Sequence, residues 1–484
     1  MSNDFRSIDW GSDEAKGDEK LATYFVNPPE YDDIFKGSKR YVVGRKGTGK
    51  SAVVQRLKLQ AEDSATDFVA DLSLRQFPLS DMRDVSDRSQ HDKSRYAPVW
   101  QFLIYIEIAK MIAEDHGTSP IAAVEELRVF LSSNNLDSDV GFSSTVSLLK
   151  KNGSKVKIAA NWFEAERDIS GEINTTLEIH YQKVVKALEK KLKSVSSDST
   201  YWIFIDELDE GYKAADQNIR LLLLALIRAI EDTAISLRTA GFAFRPLLVL
   251  RSDIFDRLED NDLNKIDDYI IRLRWTSAED HVENSLKKII AERIRSSIGE
   301  RSDPWGEIAN DSDSDLPAAV TSLWQYIANR TYERPRDVIK FMKCCRKQIP
   351  GGQQLLFRHV YAAENDYSSW LYKEIRDEIS SHLPCWKAAL DCITRLGVWR
   401  FTTAEISEEL SRDAAVKKWV ESNSSSYDSV IEHLYDFGVI GNIENNNRWL
   451  FKYKDEDLSW NPKMDLVVHF GLNKKLKLKA KRKS

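Results

Sequence analysis

Apolar runs along the first 275 residues are short and are separated by segments with helical spacing. Residues 41–43, 201–205 and 247–250 are continuous apolar runs, and 68–74 and 270–273 are further strand candidates. Residues 97–113 and 221–230 predict buried helices. Strands covered on both faces read as unbroken apolar runs, and strands that alternate with helices form parallel sheets. The pattern therefore predicts an α/β fold with helices on both faces of a parallel sheet.

A long polar segment, residues 117–199, interrupts this pattern. It contains an amphipathic stretch from Asn174 to Leu192 and a weakly alternating stretch from Val156 to Ile169. Alternation of this kind predicts a hairpin. We interpret the segment as an insertion into the core.

After residue 273 the pattern turns helical. A helical lid is predicted from helices at 281–298, 318–331 and 336–347. Punctuation by Pro350–Gly352 and by serines near Ser380 bounds a linking region. Three further helices and two short strands follow, an order that resembles a winged helix, at 385–396, 403–410, 426–437, 440–444 and 449–453.

These patterns predict five segments. They are an N-terminal arm (1–39), a P-loop core (40–275) with its insertion (117–199), a helical lid and linker (276–380), a winged-helix-like domain (381–473) and a basic tail (474–484).

Composition is that of a soluble globular protein. Apolar residues make up 42% of the 484 residues and charged residues 30%, with a net charge of -6. No stretch reaches the roughly eighteen uncharged apolar residues of a membrane span, and the first twenty residues lack the apolar region of a signal peptide. We expect no membrane partner and a cytoplasmic location. The spacing of the cysteines predicts reduced, mostly buried thiols at Cys344, Cys345, Cys385 and Cys392.

A glycine-rich motif follows the first predicted strand. Residues 44–51 read Gly-Arg-Lys-Gly-Thr-Gly-Lys-Ser and fit the P-loop pattern G-x-x-x-x-G-K-[ST]. A backbone that wraps an anion exposes successive N–H groups in conformations that favour glycine, and the helix that follows adds its dipole. The predicted nucleotide-binding set is Gly44, Arg45, Lys46, Gly47, Thr48, Gly49, Lys50, Ser51 and Ala52. Lys50 is predicted to reach the β- and γ-phosphates and Ser51 to hold Mg²⁺.

Two carboxylates end the strand predicted at 201–205. Strands of an open α/β sheet deliver their carboxyl ends to the ligand crevice, so Asp206 is predicted to hold Mg²⁺ and Glu207 to act as general base towards the attacking water. A solvated strand end is the alternative for this pair. The acids Asp209 and Glu210 have a weaker claim on the site.

Polar residues after the strand at 247–250 are candidates for sensing the nucleotide. Some ATPases have an extra strand between the two Walker strands, which are the strand before the P-loop and the strand that ends in the paired acids. In such ATPases a polar residue at this position contacts the γ-phosphate, so Ser252 or Arg251 is a candidate sensor. Arg257 is a candidate arginine finger, with a surface salt bridge as the alternative.

A lid helix opens with the sequence Glu-Arg-Pro-Arg-Asp at 333–337. Proline fixes the first turn, and arginines at a helix start are unfavourably placed unless an anion lies close. We predict Arg336 as a second sensor that contributes to catalysis. Pairing of Arg336 with Asp337 or Glu333 is the alternative.

The last eleven residues are strongly basic, with cations at 474, 475, 477, 479 and 481–483. Such a run can track phosphates of a nucleic acid, or it can be a solvated tail. In the third predicted helix of the C-terminal domain, Asp428, Glu432 and Asp436 argue against major-groove docking by that helix.

Together, the motifs at 43–52, 205–209, 250–255, 333–337 and 468–472 resemble bacterial P-loop ATPases of the Sll1717 family. These are similar to AAA+ and STAND ATPases, including the Orc/Cdc6 type with a C-terminal winged helix. The resemblance implies ATP and Mg²⁺ as ligands, ATP hydrolysis coupled to lid movement, a homo-oligomer or a protein effector partner, and a setting among antiviral defence genes. Two alternatives stay open at this point. The chain could bind DNA through the winged helix and basic tail, or it could be a nucleotide-sensing scaffold with little turnover.

Overall fold

The computed structural model describes residues 4–73, 81–82, 84, 93–137, 140–159, 162, 176–207, 217–258, 260, 263–277, 282–444 and 446–480. The chain forms two compact units. The first, here called the sheet unit, contains Glu30–Arg45 and Val53–Arg272. The second, here called the lid unit, contains Met1–Pro29, Lys46–Ala52 and Leu273–Ser484.

The sheet unit is built on a parallel sheet of five strands in the order β2-β5-β6-β1-β7. Its strands are β1 (Tyr41–Gly44), β2 (Asp67–Ser73), β5 (Thr200–Asp206), β6 (Ala243–Arg251) and β7 (Ile270–Arg272). Residues 201–205 of β5 are all buried, as an inner strand covered on both faces requires. The predicted α/β fold class is confirmed.

The described helices of the sheet unit are α2 (Tyr31–Phe35), α3 (Lys50–Glu62), α4 (Ala97–Glu114), α5 (Ile121–Ser133), α6 (Phe142–Lys151), α7 (Tyr181–Lys193), α8 (Gln217–Thr239) and α9 (Ser252–Phe255). Helix α3 starts in the lid unit, and α1 (Leu21–Tyr24) lies wholly in that unit. Helices α4 to α9 share one apolar core with the sheet. The helix predicted at 221–230 is much longer in the structure.

The described residues of the insertion at 117–199 include three helices, α5, α6 and α7, and buried apolar residues of these helices join the core of the sheet. A hairpin is present, but its strands are β3 (Lys155–Ala159) and β4 (Thr176–His180), so the second strand lies beyond the predicted range. The amphipathic stretch becomes helical only from Tyr181. Its spacing of apolar residues suits a helix over the whole stretch, but pairing with β3 takes the first part into a sheet.

From Leu273 onwards, the lid unit first forms helices that pack around a core of their own. They are α10 (Leu286–Ile298), α11 (Pro304–Ile308), α12 (Leu323–Ala328), α13 (Pro335–Gln348) and α14 (Phe357–Ile379). The helix predicted at 318–331 is only six residues long. The predicted linking region is in fact occupied by α14, a helix of 23 residues.

The C-terminal part of the lid unit combines helices with a four-stranded sheet in the order β10-β9-β11-β8. Its elements are α15 (Trp386–Leu396), β8 (Arg400–Phe401), α16 (Thr403–Arg412), α17 (Ala414–Ser422), α18 (Tyr427–Asp436), β9 (Ile440–Ile443), β10 (Trp449–Leu450) and β11 (Asp465–Val468). Its three predicted helices and two predicted strands are present, whereas α17, β8 and β11 were not predicted. The winged-helix domain itself stays a prediction.

The start of the basic tail is folded against this unit. Lys474 Nζ lies 3.6 Å from the ring centroid of Tyr361, and Lys479 exchanges backbone hydrogen bonds with Gly397 and Trp399. Leu476 is buried. The described part of the segment is therefore not a loose tail, because aromatic and backbone contacts hold it.

All four cysteines are buried thiols that form no disulfide, as predicted. Burial raises the pKa of Cys344 and Cys385 to about 11 and that of Cys392 to about 12. Among the described helices, we find none with the length and apolar character needed to cross a bilayer.

Candidate functional site

Three strands bring predicted site residues to the carboxyl edge of the parallel sheet. Strand β1 ends at Gly44, β6 at Arg251 and β5 at Asp206. The register pairs Gly44 with Arg251, and β6 lies between β1 and β5. The sheet thus contains the extra strand expected between the two Walker strands, and both motifs leave it at the same edge.

The two carboxylates predicted as a Walker B pair lie at the end of a strand whose central residues are all buried, and the second of them has a strained backbone. Glu207 has φ of 65°, in the left-handed region, and its N–H donates to Asp206 Oδ1 at 2.7 Å. A residue with a Cβ loses about 1–2 kcal/mol in this conformation. Strain of this kind is concentrated at functional sites, where surrounding structure holds it in place. Asp209 and Glu210 lie outside the described residues.

The P-loop has the backbone that its glycines predict. Gly47 has φ of 83° and Gly49 of 95°. Helix α3 begins at Lys50, directly after the second of these glycines, and Ser51 and Ala52 complete its first turn. The first N–H groups of a helix have no partner inside the helix, which is the reason that helix N-termini bind phosphates. A Cβ added at Gly49 would meet none of the described atoms within 4 Å, which leaves the loop open there.

Backbone carbonyls of the P-loop are bonded by three residues of the lid unit. Trp275 Nε1 donates to Thr48 O at 2.8 Å, Arg334 Nη1 to Lys46 O at 3.0 Å, and Arg336 N to Gly47 O at 3.3 Å. A Cβ at Gly47 would lie only 3.2 Å from Arg336 Cβ. The loop therefore lies directly against the start of α13, while the sensor role of Arg336 stays a prediction.

Arg334 is the most buried of the cations at this contact, with 2% of its surface exposed. It pairs with Asp337 at 3.0 Å and with Glu378 of α14 at 2.5 Å. Burial alone lowers the pKa of Arg334, but these two carboxylates outweigh it and raise the pKa above its ordinary value. Arg334 is thus a permanent cation that joins α13, α14 and the P-loop backbone. From the sequence pattern, Arg336 and not Arg334 was predicted as a site residue.

Arg336 and Lys46 meet a second carboxylate of α14. Arg336 Nη1 lies 3.5 Å and Lys46 Nζ lies 3.3 Å from Glu374 Oε2. The expected alternative partners of Arg336 were Asp337 and Glu333. In the structure Asp337 pairs with Arg334, and Glu333 pairs with a lysine of the C-terminal region.

The remaining sensor candidates surround the end of β6. Ser252 is buried and begins the short helix α9. Arg251 makes a two-pronged ion pair with Asp253, at 2.9 and 2.7 Å, which occupies its guanidinium. Arg257 lies in the turn after α9. The choice between Ser252 and Arg251 as the sensor stays a prediction.

The fold and the glycine-rich motif together define an α/β protein with a P-loop and a second unit that is mainly helical. Within it, residues 284–376 match the family model described as the FunZ-associated C-terminal helical domain. This match covers the lid helices α10 to α13 and most of α14.

Two solved structures share similarity along nearly the whole chain. Cdc6p from Pyrobaculum aerophilum is 12% identical over 95% of this chain and 96% of its own, with a TM-score of 0.33. A Walker-type ATPase of Pyrococcus abyssi is 12% identical over 90% and 92%, also with a TM-score of 0.33. No curated protein matches the chain. Because the sequence identities and the TM-scores are both this low, any function proposed for the chain has to rest on its own site residues.

Proposed function

We propose that the chain is an ATPase of the AAA+-like kind that binds MgATP at Gly44–Ser51 and hydrolyses it. The observation that supports this most directly is the P-loop itself. Its two glycines adopt positive φ, and it leads from the carboxyl end of a parallel strand into a helix N-terminus. That combination presents N–H groups and a helix dipole to a polyphosphate.

The donor groups also suit a magnesium ion. Ser51 supplies a hydroxyl oxygen from the first turn of α3, and Asp206 supplies a carboxylate from the end of β5. Mg²⁺ prefers oxygen ligands and binds through one or two protein groups plus phosphate oxygens. Bound there, Mg²⁺ would neutralise charge on the β- and γ-phosphates.

The proposed chemistry assigns one task to each charged residue. Lys50 binds the phosphates, and Glu207 orients a water and accepts its proton on a carboxylate oxygen. Arg336, which lies against Gly47, stabilises the charge of the transferring phosphoryl group. Ser252 at the tip of β6 senses the same group.

Wild type and two variants distinguish binding from turnover. We expect Lys50→Ala to lose ATP binding, and Glu207→Gln to bind ATP while its steady-state hydrolysis falls at least about a hundredfold. Glu62→Gln, an exposed carboxylate at the end of α3, is the matched control and retains the wild-type rate. An equal, negligible rate in wild type and in Glu207→Gln refutes the enzyme and favours the scaffold alternative.

The finer parts of the proposal concern partners and setting. From its resemblance to the Sll1717 family, we propose that the protein is a switch or motor of the AAA+/STAND kind, assembles as a homo-oligomer or with a protein effector, and acts in bacterial antiviral defence. Mass measurement of the purified protein with and without ATP tests the assembly. An unchanged monomer in both conditions contradicts the homo-oligomer.

DNA binding through the C-terminal domain is the second candidate. Cations between Lys474 and Lys483 support it, although Lys474 also packs on an aromatic ring and lies 3.7 Å from Glu364. Salt-dependent DNA binding that is lost on deletion of residues 476–484 would establish it. Binding that survives this deletion would exclude the tail as its cause.

A further inference from the structure

Two cations predicted at the nucleotide phosphates share a single carboxylate oxygen. Lys46 Nζ lies 3.3 Å and Arg336 Nη1 lies 3.5 Å from Glu374 Oε2. Asp377, almost one turn further along α14, lies 3.7 Å from Lys46 Nζ. We call Glu374 and Asp377 the lid carboxylates.

The lid carboxylates differ from the buried anchor formed by Arg334, Asp337 and Glu378. In the anchor, the side chains are almost wholly buried and the charged atoms lie 2.5–3.1 Å apart. At the lid carboxylates, Lys46 and Arg336 keep 24% and 32% of their side-chain surface exposed, and the distances exceed those of a close charged hydrogen bond. These outer pairs therefore exchange partners readily, while the anchor keeps the loop attached.

A phosphate and a carboxylate make opposing demands on the same cations. Lys46 belongs to the P-loop, and Arg336 donates its backbone N–H to the carbonyl of Gly47. A triphosphate in the loop attracts both side chains and repels Glu374, because like charges at short range disfavour each other. Asp377 can lose Lys46 at little cost, since Arg376 Nε already donates to it at 2.8 Å.

We propose that Glu374, assisted by Asp377, is a positioning residue that competes with the nucleotide phosphates for Lys46 and Arg336. When a triphosphate binds, the two cations turn from the lid carboxylates to the phosphates, and α14 loses its outer attachment to the P-loop. Helix α14 thereby registers the presence of the nucleotide. This inference rests on the proposed function, because a phosphate must bind at the P-loop.

Removing the charge of Glu374 tests the competition. Glu374→Gln keeps the shape of the side chain, and we expect it to bind MgATP about threefold to tenfold more tightly than wild type, as the loss of one or two partly exposed ion pairs implies. Affinity is measured by competition of ATP and of ADP against a fluorescent ATP analogue. The gain is larger for ATP than for ADP and shrinks in high salt.

Asp366→Asn is the matched control, because it removes the same charge from an exposed position on the same helix. It leaves the affinity for ATP unchanged. A second variant, Lys46→Gln, reduces the effect of Glu374→Gln when the two are combined. Without nucleotide, Glu374→Gln melts no higher than wild type, so tighter binding does not reflect a more stable protein.

Three results overturn the inference. Equal affinity of Glu374→Gln and Asp366→Asn shows that the lid carboxylates do not compete. Weaker binding by Glu374→Gln shows that Glu374 holds the cations ready for the phosphates instead. Failure of wild type to bind the ATP analogue refutes the proposed function and, with it, this inference.

Discussion

Loss of the buried cation Arg334 gives the sharpest expectation for stability. Arg334→Met keeps much of the side-chain volume but removes the cation that contacts both Asp337 and Glu378, two carboxylates that are only 0% and 4% exposed. Removing one partner of a buried ion pair costs about 3–5 kcal/mol. For a domain of about 150–250 residues, each kcal/mol lowers the melting temperature by about 2–4 °C. We therefore expect the melting temperature of the lid unit to fall by about 6–20 °C.

Scanning calorimetry of the full chain measures this change, with Arg336→Met as the matched control. Arg336 carries a partly exposed ion pair with a long N–O distance, worth about 1 kcal/mol, so its replacement shifts the transition by no more than about 4 °C. Adding Glu378→Gln to Arg334→Met removes one of the two carboxylate charges that contact Arg334 in the wild type, and it recovers part of the lost melting temperature. A drop below about 3 °C for Arg334→Met, or equal drops for both arginines, would refute the reasoning from burial.

Three further expectations follow from single residues. Gly47→Ala lowers the melting temperature more than Gly49→Ala, because both have positive φ but only the first places its Cβ 3.2 Å from Arg336; equal shifts would contradict this steric argument. Burial acts to raise the pKa of Asp115, but hydrogen bonds from Tyr201, a serine and a backbone N–H outweigh it and lower the pKa below its ordinary value. Asp115→Asn therefore costs about 1–3 kcal/mol of folding free energy at pH 7. That difference from wild type in thermal melts shrinks as the pH falls through the lowered pKa, and a constant difference between pH 7 and 3 would exclude it. A thiol-reactive reagent at pH 8 labels the native protein slowly but labels all four cysteines of the unfolded protein, because burial raises the pKa of each thiol, to about 12 at Cys392. Rapid labelling of the native protein would contradict this expectation, since it would show an accessible thiolate.

Local pattern determined most of the sheet unit. Runs of apolar residues located all five strands of the parallel sheet, because a strand buried on both faces has few places for a polar side chain. The P-loop was equally legible, since its glycine positions follow from the backbone conformation that phosphate binding demands. Pairing of β3 with β4 was misplaced, because a weak alternation does not specify its partner strand.

Helix α14 was missed although its buried positions, among them Val360, Tyr367, Leu371 and Ile375, follow helical spacing. The flanking Pro-Gly-Gly and serine breaks drew attention to a linker instead. A test for helical periodicity across 357–379 could have found it. With α14 assigned, its acids at 374, 377 and 378 would have stood three and four residues apart on one face.

The sequence by itself determined the parallel α/β fold, the P-loop and the residue types for phosphate and magnesium. Only the tertiary structure decided which arginine carries which contact. Arg334 and Arg336 are two residues apart in the same motif, yet one is buried between Asp337 and Glu378 and the other is partly exposed beside Glu374. The physical reason is that burial and charge pairing are set by helices distant in sequence. The order of residues in a motif therefore shows that a cation is present, while the fold decides what it neutralises.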